Sequence, residues 1–437
     1  PFFVWRVFVV ELAKVVTEGV NNLWILMVSF LIFFMQPGFA MLEAGQVRAR
    51  NVVHVLIKNL CDWCLGVMIY FVIGLGIANF FGQVTSVEGY TGGVYNYIND
   101  PTAWIGWLFG AVFAMTAATI TSGAVAGRIK FKAYLFYSVA LTAIIYPFIQ
   151  GITWGGGLLS ASGYLGELIG AGYKDFAGAT VVHMLGGIAG LAGAAVLGPR
   201  EGRFDESGQA NPIPGHNITI VVLGTFILAF GWYGFNVGTQ ASILSVSQLG
   251  EVSFQEPALA RVALNTTLAM GAGAMFALIT TVFTKGFPDV LFACNGLLAG
   301  LVGITGACAH VSVLGGLFIG IVSGIQAPLV FSWVVNKLGV DDVCGVFCVH
   351  GSAGAIGTWL IPFFDTAGFS INQLIMQTVG ILVIAIWTSL TITLVFKLAD
   401  SLVGLRLPVE DEQRGMDQTE HNIIAYPYFV ERNQMAE

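Results

Sequence analysis

DFAGATVVHMLGGIAGLAGAAVLG, residues 175–198, has one acid at its start, one histidine inside and no other ionisable group. A helix rises about 1.5 Å per residue, so an apolar run of this length crosses the hydrocarbon core of a bilayer. A second stretch shares its pattern: VHMLGGIAG starts at Val182 and VHGSAGAIG at Val349. Superposing His183 on His350 aligns the preceding valines, Gly187 with Gly354, and Gly190 with Gly357. Five spans separate the two copies, an odd number, so the second copy enters the membrane with opposite polarity. That pattern predicts inverted repeats, whose shared interface holds a substrate path near the midplane.

Composition agrees with lipid as the solvent. The 437 residues are 56% hydrophobic and 10% charged, with mean hydropathy +0.81; soluble domains carry about a quarter charged residues. The net charge of −7 offers no basic surface for nucleic acid. Many of the 56 glycines fall inside apolar runs, where they suit close helix packing. The six cysteines form no disulfide framework and read as membrane-buried thiols, the CDWC at 61–64 included.

The expected fold is an all-α membrane protein of eleven transmembrane helices. The spans read as 21–46, 52–81, 103–126, 131–153, 175–198 and 217–241, then 256–283, 287–307, 311–334, 346–364 and 372–404. Arg48, Arg50, Arg128, Lys130, Lys132, Arg200, Arg203, Lys285 and Lys337 fall in alternate connections, on one side with Arg406, Arg414 and Arg432 of the tail. The positive-inside rule then puts the N-terminus outside and the C-terminus in the cytoplasm. Organisation follows: an outer interfacial segment (1–20), a first repeat (21–198), a cytoplasmic linker (199–216), a second repeat (217–364), a last span (365–405) and a cytoplasmic tail (406–437). Arg6, Glu11, Lys14 and Glu18 make the first segment an amphipathic interfacial helix rather than a span.

A histidine at bilayer depth is costly, and two at matching places predict a shared site. Neutral imidazoles in contact donate from one ring and accept on the other, which suits a small solute that does both. A metal pair would need a third ligand, and none lies at a plausible depth. A second set lies toward the outer side. Phe109 and Phe113 share one face of span three, Trp154 ends span four, and Phe235 lies in GWYGFNVGT with Thr239 one turn later. Ring faces beside a hydroxyl hold a small cation at about 1–2 kcal/mol each. Asp175 reads as an N-cap of span five, as a source of negative field at that site, or as both.

These segments resemble the ammonium transporter family (Amt and MEP proteins, with Rh proteins as relatives). The resemblance runs from MQPGFAMLEAGQVRARN (35–51) to KLADSLVGLRLP (397–408) and includes DFAGATVVHMLGGIAGL, GWYGFNVG and VFCVHG. TSGAVAGRIKF, GPREGRFD and the AYP of the tail look most like the plant-type and bacterial branch. It implies a homotrimer in the cell membrane, with one pore per subunit. Residue by residue, it implies an outer ammonium site of Trp154, Phe113 and Thr239, a gate of Phe113 and Phe235, twin pore histidines His183 and His350, and an essential Asp175. It names no cofactor. Gly127 stands where Glu is common and Gly345 where Asp is often found, departures that bear on regulation. The resemblance leaves open an ammonium sensor that signals through its tail to a cytoplasmic regulatory or signalling partner, and a neutral-gas channel. No nucleophile–base set points to an enzyme.

Overall fold

The computed structural model describes residues 2–427, so Arg432 of the tail lies outside the described residues. Nine helices among them are long and apolar enough to cross a membrane. Two further apolar segments fall short on length or continuity. Val290–Thr305 has only 16 residues, and the stretch expected as span ten is divided into Phe347–Ser352, Ala353–Trp359 and Ile361–Phe364. Pro362 marks the second of those breaks, since it cannot donate to the helix ladder.

The protein is an integral multi-pass membrane protein, and its surface reads accordingly. Along Ile371–Val403, Leu382, Ile386, Leu390, Leu394, Leu398 and Leu402 recur every fourth residue and are all exposed. Only lipid or a neighbouring apolar surface covers such a stripe without loss. The opposite face, with Ile384, Thr388, Ile392 and Phe396, is buried, and the helix packs chiefly on Phe131–Ala140 and Leu185–Leu197.

The N-terminal segment is not a separate helix. It runs unbroken into the first span as Phe2–Phe33, because no proline falls within it to interrupt the backbone ladder. The break comes at Phe34, where Pro37 blocks the carbonyl of residue 33 and a new helix, Met35–Gln46, begins. One small antiparallel hairpin, Leu244–Val246 with Val252–Phe254, departs from the all-helical expectation. The connection from Trp154 to Asp175 holds a short helix, Tyr164–Ile169.

The basic connections gather at one end of the bundle. Arg200 and Arg203 both pair with Asp341, Arg128 donates to the Asp341 carbonyl at 2.7 Å, and the tail joins them. Glu412 accepts from Arg406 at 2.8 Å and from the Glu201 N–H at 2.8 Å. Asp417 accepts the His54 N–H, and His421 lies 3.1 Å from the His54 ring nitrogen. Burial opposes the charged form of Asp341, but hydrogen bonds and charge from Arg200, with Arg128, hold its carboxyl well below the usual range.

Candidate functional site

The two histidines lie on two matching turns. Ala179–Met184 and Phe347–Ser352 are both π-helical, one extra residue wound into a helix start; such turns recur at functional sites. Each turn is preceded by the same device. Asp175 is followed by Gly178 at φ 98° and then by His183, and Asp342 by Gly345 at φ 71° and then by His350. Asp-x2-Gly-x4-His thus occurs twice with identical spacing. Asp342 accepts from the Val346 and Phe347 N–H groups at 2.9 and 2.8 Å. Burial, partly offset by those two N–H groups, pushes its carboxyl up to about 6. The two glycines adopt left-handed backbone that a side chain would strain. Gly345, noted in the sequence as a departure, is therefore the counterpart of Gly178, and Gly127 also has positive φ, 80°.

Asp175 is a fuller cap. One oxygen accepts from Gly178 and Ala179, the other from the N–H groups of Thr180 and Val181 and the Thr180 hydroxyl, at 2.6–3.0 Å. Its own carbonyl accepts the Trp154 indole N–H at 2.8 Å. The buried carboxylate thus fixes the start of the histidine helix and the position of Trp154 together.

Glycines set how closely those helices meet. A Cβ on Gly187 would collide with the backbone nitrogen of Gly351, and one on Gly354 with the carbonyl of Ala179. With that separation the imidazoles meet: His183 Nδ1 lies 3.2 Å from His350 Nδ1, the rings nearly parallel with centroids 5.3 Å apart. Both rings are buried.

From the pair a line of aromatic rings leads to the surface. His183 lies 5.3 Å from Phe235, Phe235 lies 4.2 Å from Phe113, and Phe113 meets Trp154 edge-on at 5.8 Å. Phe113 and Phe235 are buried while Trp154 is 37% exposed. Phe109 packs on Phe113 at 4.9 Å, behind the line. Thr239 is tied to this line through backbone: its hydroxyl donates to the Phe235 carbonyl at 2.7 Å. The sequence-selected residues therefore form one continuous arrangement.

The sequence reading passed over Trp232. It stacks on His183 at 4.8 Å, nearly parallel, and its indole donates to Thr305 at 2.8 Å. Its place three residues before Phe235, on the same helix face, was the available signal. Among the described residues no three His, Cys, Asp or Glu side chains gather to hold a metal ion, and all six cysteines are free.

The family model described as Ammonium Transporter Family matches residues 23–426. Ammonium transporter Amt1 of Haloferax mediterranei is 57% identical over 418 residues, 95% of this chain and 81% of that protein. Ammonium transporter Amt2 of the same organism is 48% identical over 436 residues, 96% of this chain and 92% of that protein. A solved structure described as Sensor Amt Protein superposes with a TM-score of 0.83 at 32% identity, over 93% of this chain and 100% of that one.

Proposed function

The chain belongs to the ammonium transporter family, and from that premise we propose that it carries ammonium across a cell membrane through a pore within each subunit. One observation supports this most: the unbroken line from half-exposed Trp154 through Phe113 and Phe235 to the histidine pair. The outer face of Trp154, with Phe113 and the Thr239 hydroxyl, recruits the cation through ring faces and hydrogen bonding. An intact cation in a narrow apolar passage costs tens of kcal/mol in the Born limit. Deprotonation on entry removes that cost. Ammonia then passes the gate of Phe113 and Phe235 and moves along His183 and His350, which offer it a donor and an acceptor. Potassium is about the size of ammonium but has no proton to lose, so the passage rejects it. We further propose eleven spans in a five-plus-five inverted repeat, the basic end and tail in the cytoplasm, and assembly as a homotrimer.

The test is labelled methylammonium uptake and ammonium-evoked current in proteoliposomes of the purified protein. Saturable uptake that excess potassium leaves intact is expected. Binding without uptake or current would replace the carrier with a sensor. The similarity to the structure described as Sensor Amt Protein favours that second reading.

A further inference from the structure

Glu43 is a carboxylate with no evident structural task. It lies within Met35–Gln46 and is only 2% exposed, where an unpaired charge costs several kcal/mol. Its Oε2 accepts the Ser122 hydroxyl at 2.6 Å. Lys58, wholly buried, donates to the Ser122 carbonyl at 3.1 Å. Acid and base thus flank Ser122 without a salt bridge between them among the described residues. Asp62, one turn beyond Lys58, accepts the Tyr134 hydroxyl on one oxygen and finds no hydrogen-bond partner for the other among the described residues. Replacing buried charges by apolar residues of equal size is often neutral or stabilising, so packing alone does not call for these groups.

What Glu43 does reach is the underside of the histidine pair. It lines a cavity of about 20 Å³ shared with His350, whose wall is otherwise mainly apolar: Phe39, Leu42, Ile120, Val346 and Val349. A space of that size holds about one water. With Nδ1 of His350 engaged by His183, Nε2 is the ring nitrogen left for this cavity. Asn295 and Cys344 also line a wider vestibule of about 260 Å³ at the basic end, beside Gln46, Arg200 and Arg203.

We propose that Glu43 is the proton acceptor on the inner side of the histidine pair, a role that rests on the pore reading above. A proton arriving at His183 Nε2 drives the shared hydrogen from His183 Nδ1 to His350 Nδ1, and the hydrogen on His350 Nε2 leaves through one water to a Glu43 carboxylate oxygen. The N–H bond breaks, the O–H bond forms, and Glu43 then releases the proton to vestibule water. Ammonia crosses separately and takes up a proton in the vestibule, so one charge accompanies each ammonia. Lys58 is a positioning residue: its charge favours the carboxylate and returns Glu43 to the accepting state, while Asp62 offsets Lys58. The titratable groups around Glu43 are Lys58 and Asp62 on Val52–Ile69, Tyr134 on Phe131–Ala140, Cys344 before the second π turn, and His350 within it.

The experiment compares wild type, Glu43→Gln and Glu43→Asp in proteoliposomes. Ammonium-evoked charge movement is read beside entry of labelled methylamine down its gradient at zero voltage. Glu43→Gln should lower charge movement by roughly tenfold or more and leave methylamine entry unchanged. Glu43→Asp should restore part of the charge movement and shift its pH profile. Charge movement that survives Glu43→Gln overturns the proposal alone, as does an equal loss of both fluxes that Asp does not restore. If the Gln variant does not fold, an unchanged pH profile in Glu43→Asp overturns it. A wild-type protein that moves neither charge nor methylamine overturns the pore reading and this proposal with it.

Discussion

Asp175 uses both carboxylate oxygens against the start of its helix, two backbone N–H groups each. An amide has one acceptor oxygen, so Asp175→Asn turns a donor toward donors and abandons about two N–H groups at ~1–3 kcal/mol each. Both Asp175→Asn and Asp175→Ala should therefore lower the thermal midpoint in detergent and abolish uptake. An Asn variant as stable as wild type would show that the cap is dispensable. For the pair, His183→Ala and His350→Ala should each abolish the discrimination against potassium and leave the surviving ring unpartnered at about 1–3 kcal/mol. Uptake and current set the comparison, and single variants with wild-type flux and selectivity would reduce the histidines to packing. Much at this scale was legible, because histidine, aspartate and tryptophan are conspicuous in apolar sequence. Trp232 was signalled by its spacing from Phe235 and was passed over, whereas Glu43 was not legible, because spacing alone does not tell which polar group on a helix turns toward the path. Asp342 was within reach, since its distance to His350 equals that from Asp175 to His183.

Among the elements, the histidine helices depend on glycine. Gly187→Ala and Gly354→Ala each place a methyl against backbone that cannot retreat, and overpacking of this kind costs about 1–3 kcal/mol. Each variant should unfold at lower temperature and lose selectivity together, since the same displacement parts the rings; a full-length variant with wild-type melting would contradict the close crossing. The connection of Ala307–Ser312 makes a pH prediction. Burial, then Lys174, against the pull of Asp365, lowers His310 from 6.5 to about 4. The unfolded chain binds that proton below pH 6.5 while the fold refuses it until about 4, so stability falls as pH drops across this window. Melting followed from pH 7 to 4 should be less steep in His310→Gln than in wild type; equal slopes would refute it. Nine of the expected spans overlap helices long and apolar enough to cross a membrane, and the places of those nine were legible from hydropathy. The break after Phe33 follows from Pro37, whereas the π turns have no compositional signature, since one inserted residue leaves the apolar pattern intact.

For the molecule as a whole, the aromatic line and the histidine pair lie within one chain, so a trimer should behave as three independent pores. Mixing wild-type with His183→Ala subunits should lower uptake in proportion to the mixture, and a steep dominant loss would point to a shared path. The gathering of basic connections at one end was readable from the alternation of charge along the chain. The docking of the tail through Glu412, Asp417 and His421 was not, because those bonds join residues hundreds of positions apart. The Nδ1–Nδ1 contact has one more consequence for the whole passage. A neutral imidazole has a single N–H, so the ring that donates at the centre leaves its outward nitrogen bare, and the ring that accepts there keeps its hydrogen facing outward. The symmetric frame therefore holds an asymmetric occupant. A proton entering at the bare end pushes the central hydrogen across, expels one from the far end, and leaves both rings as mirror images of their former selves. The pair then refuses another from that side. It stores one bit, written by the direction of the last crossing, and each cycle has to include its erasure.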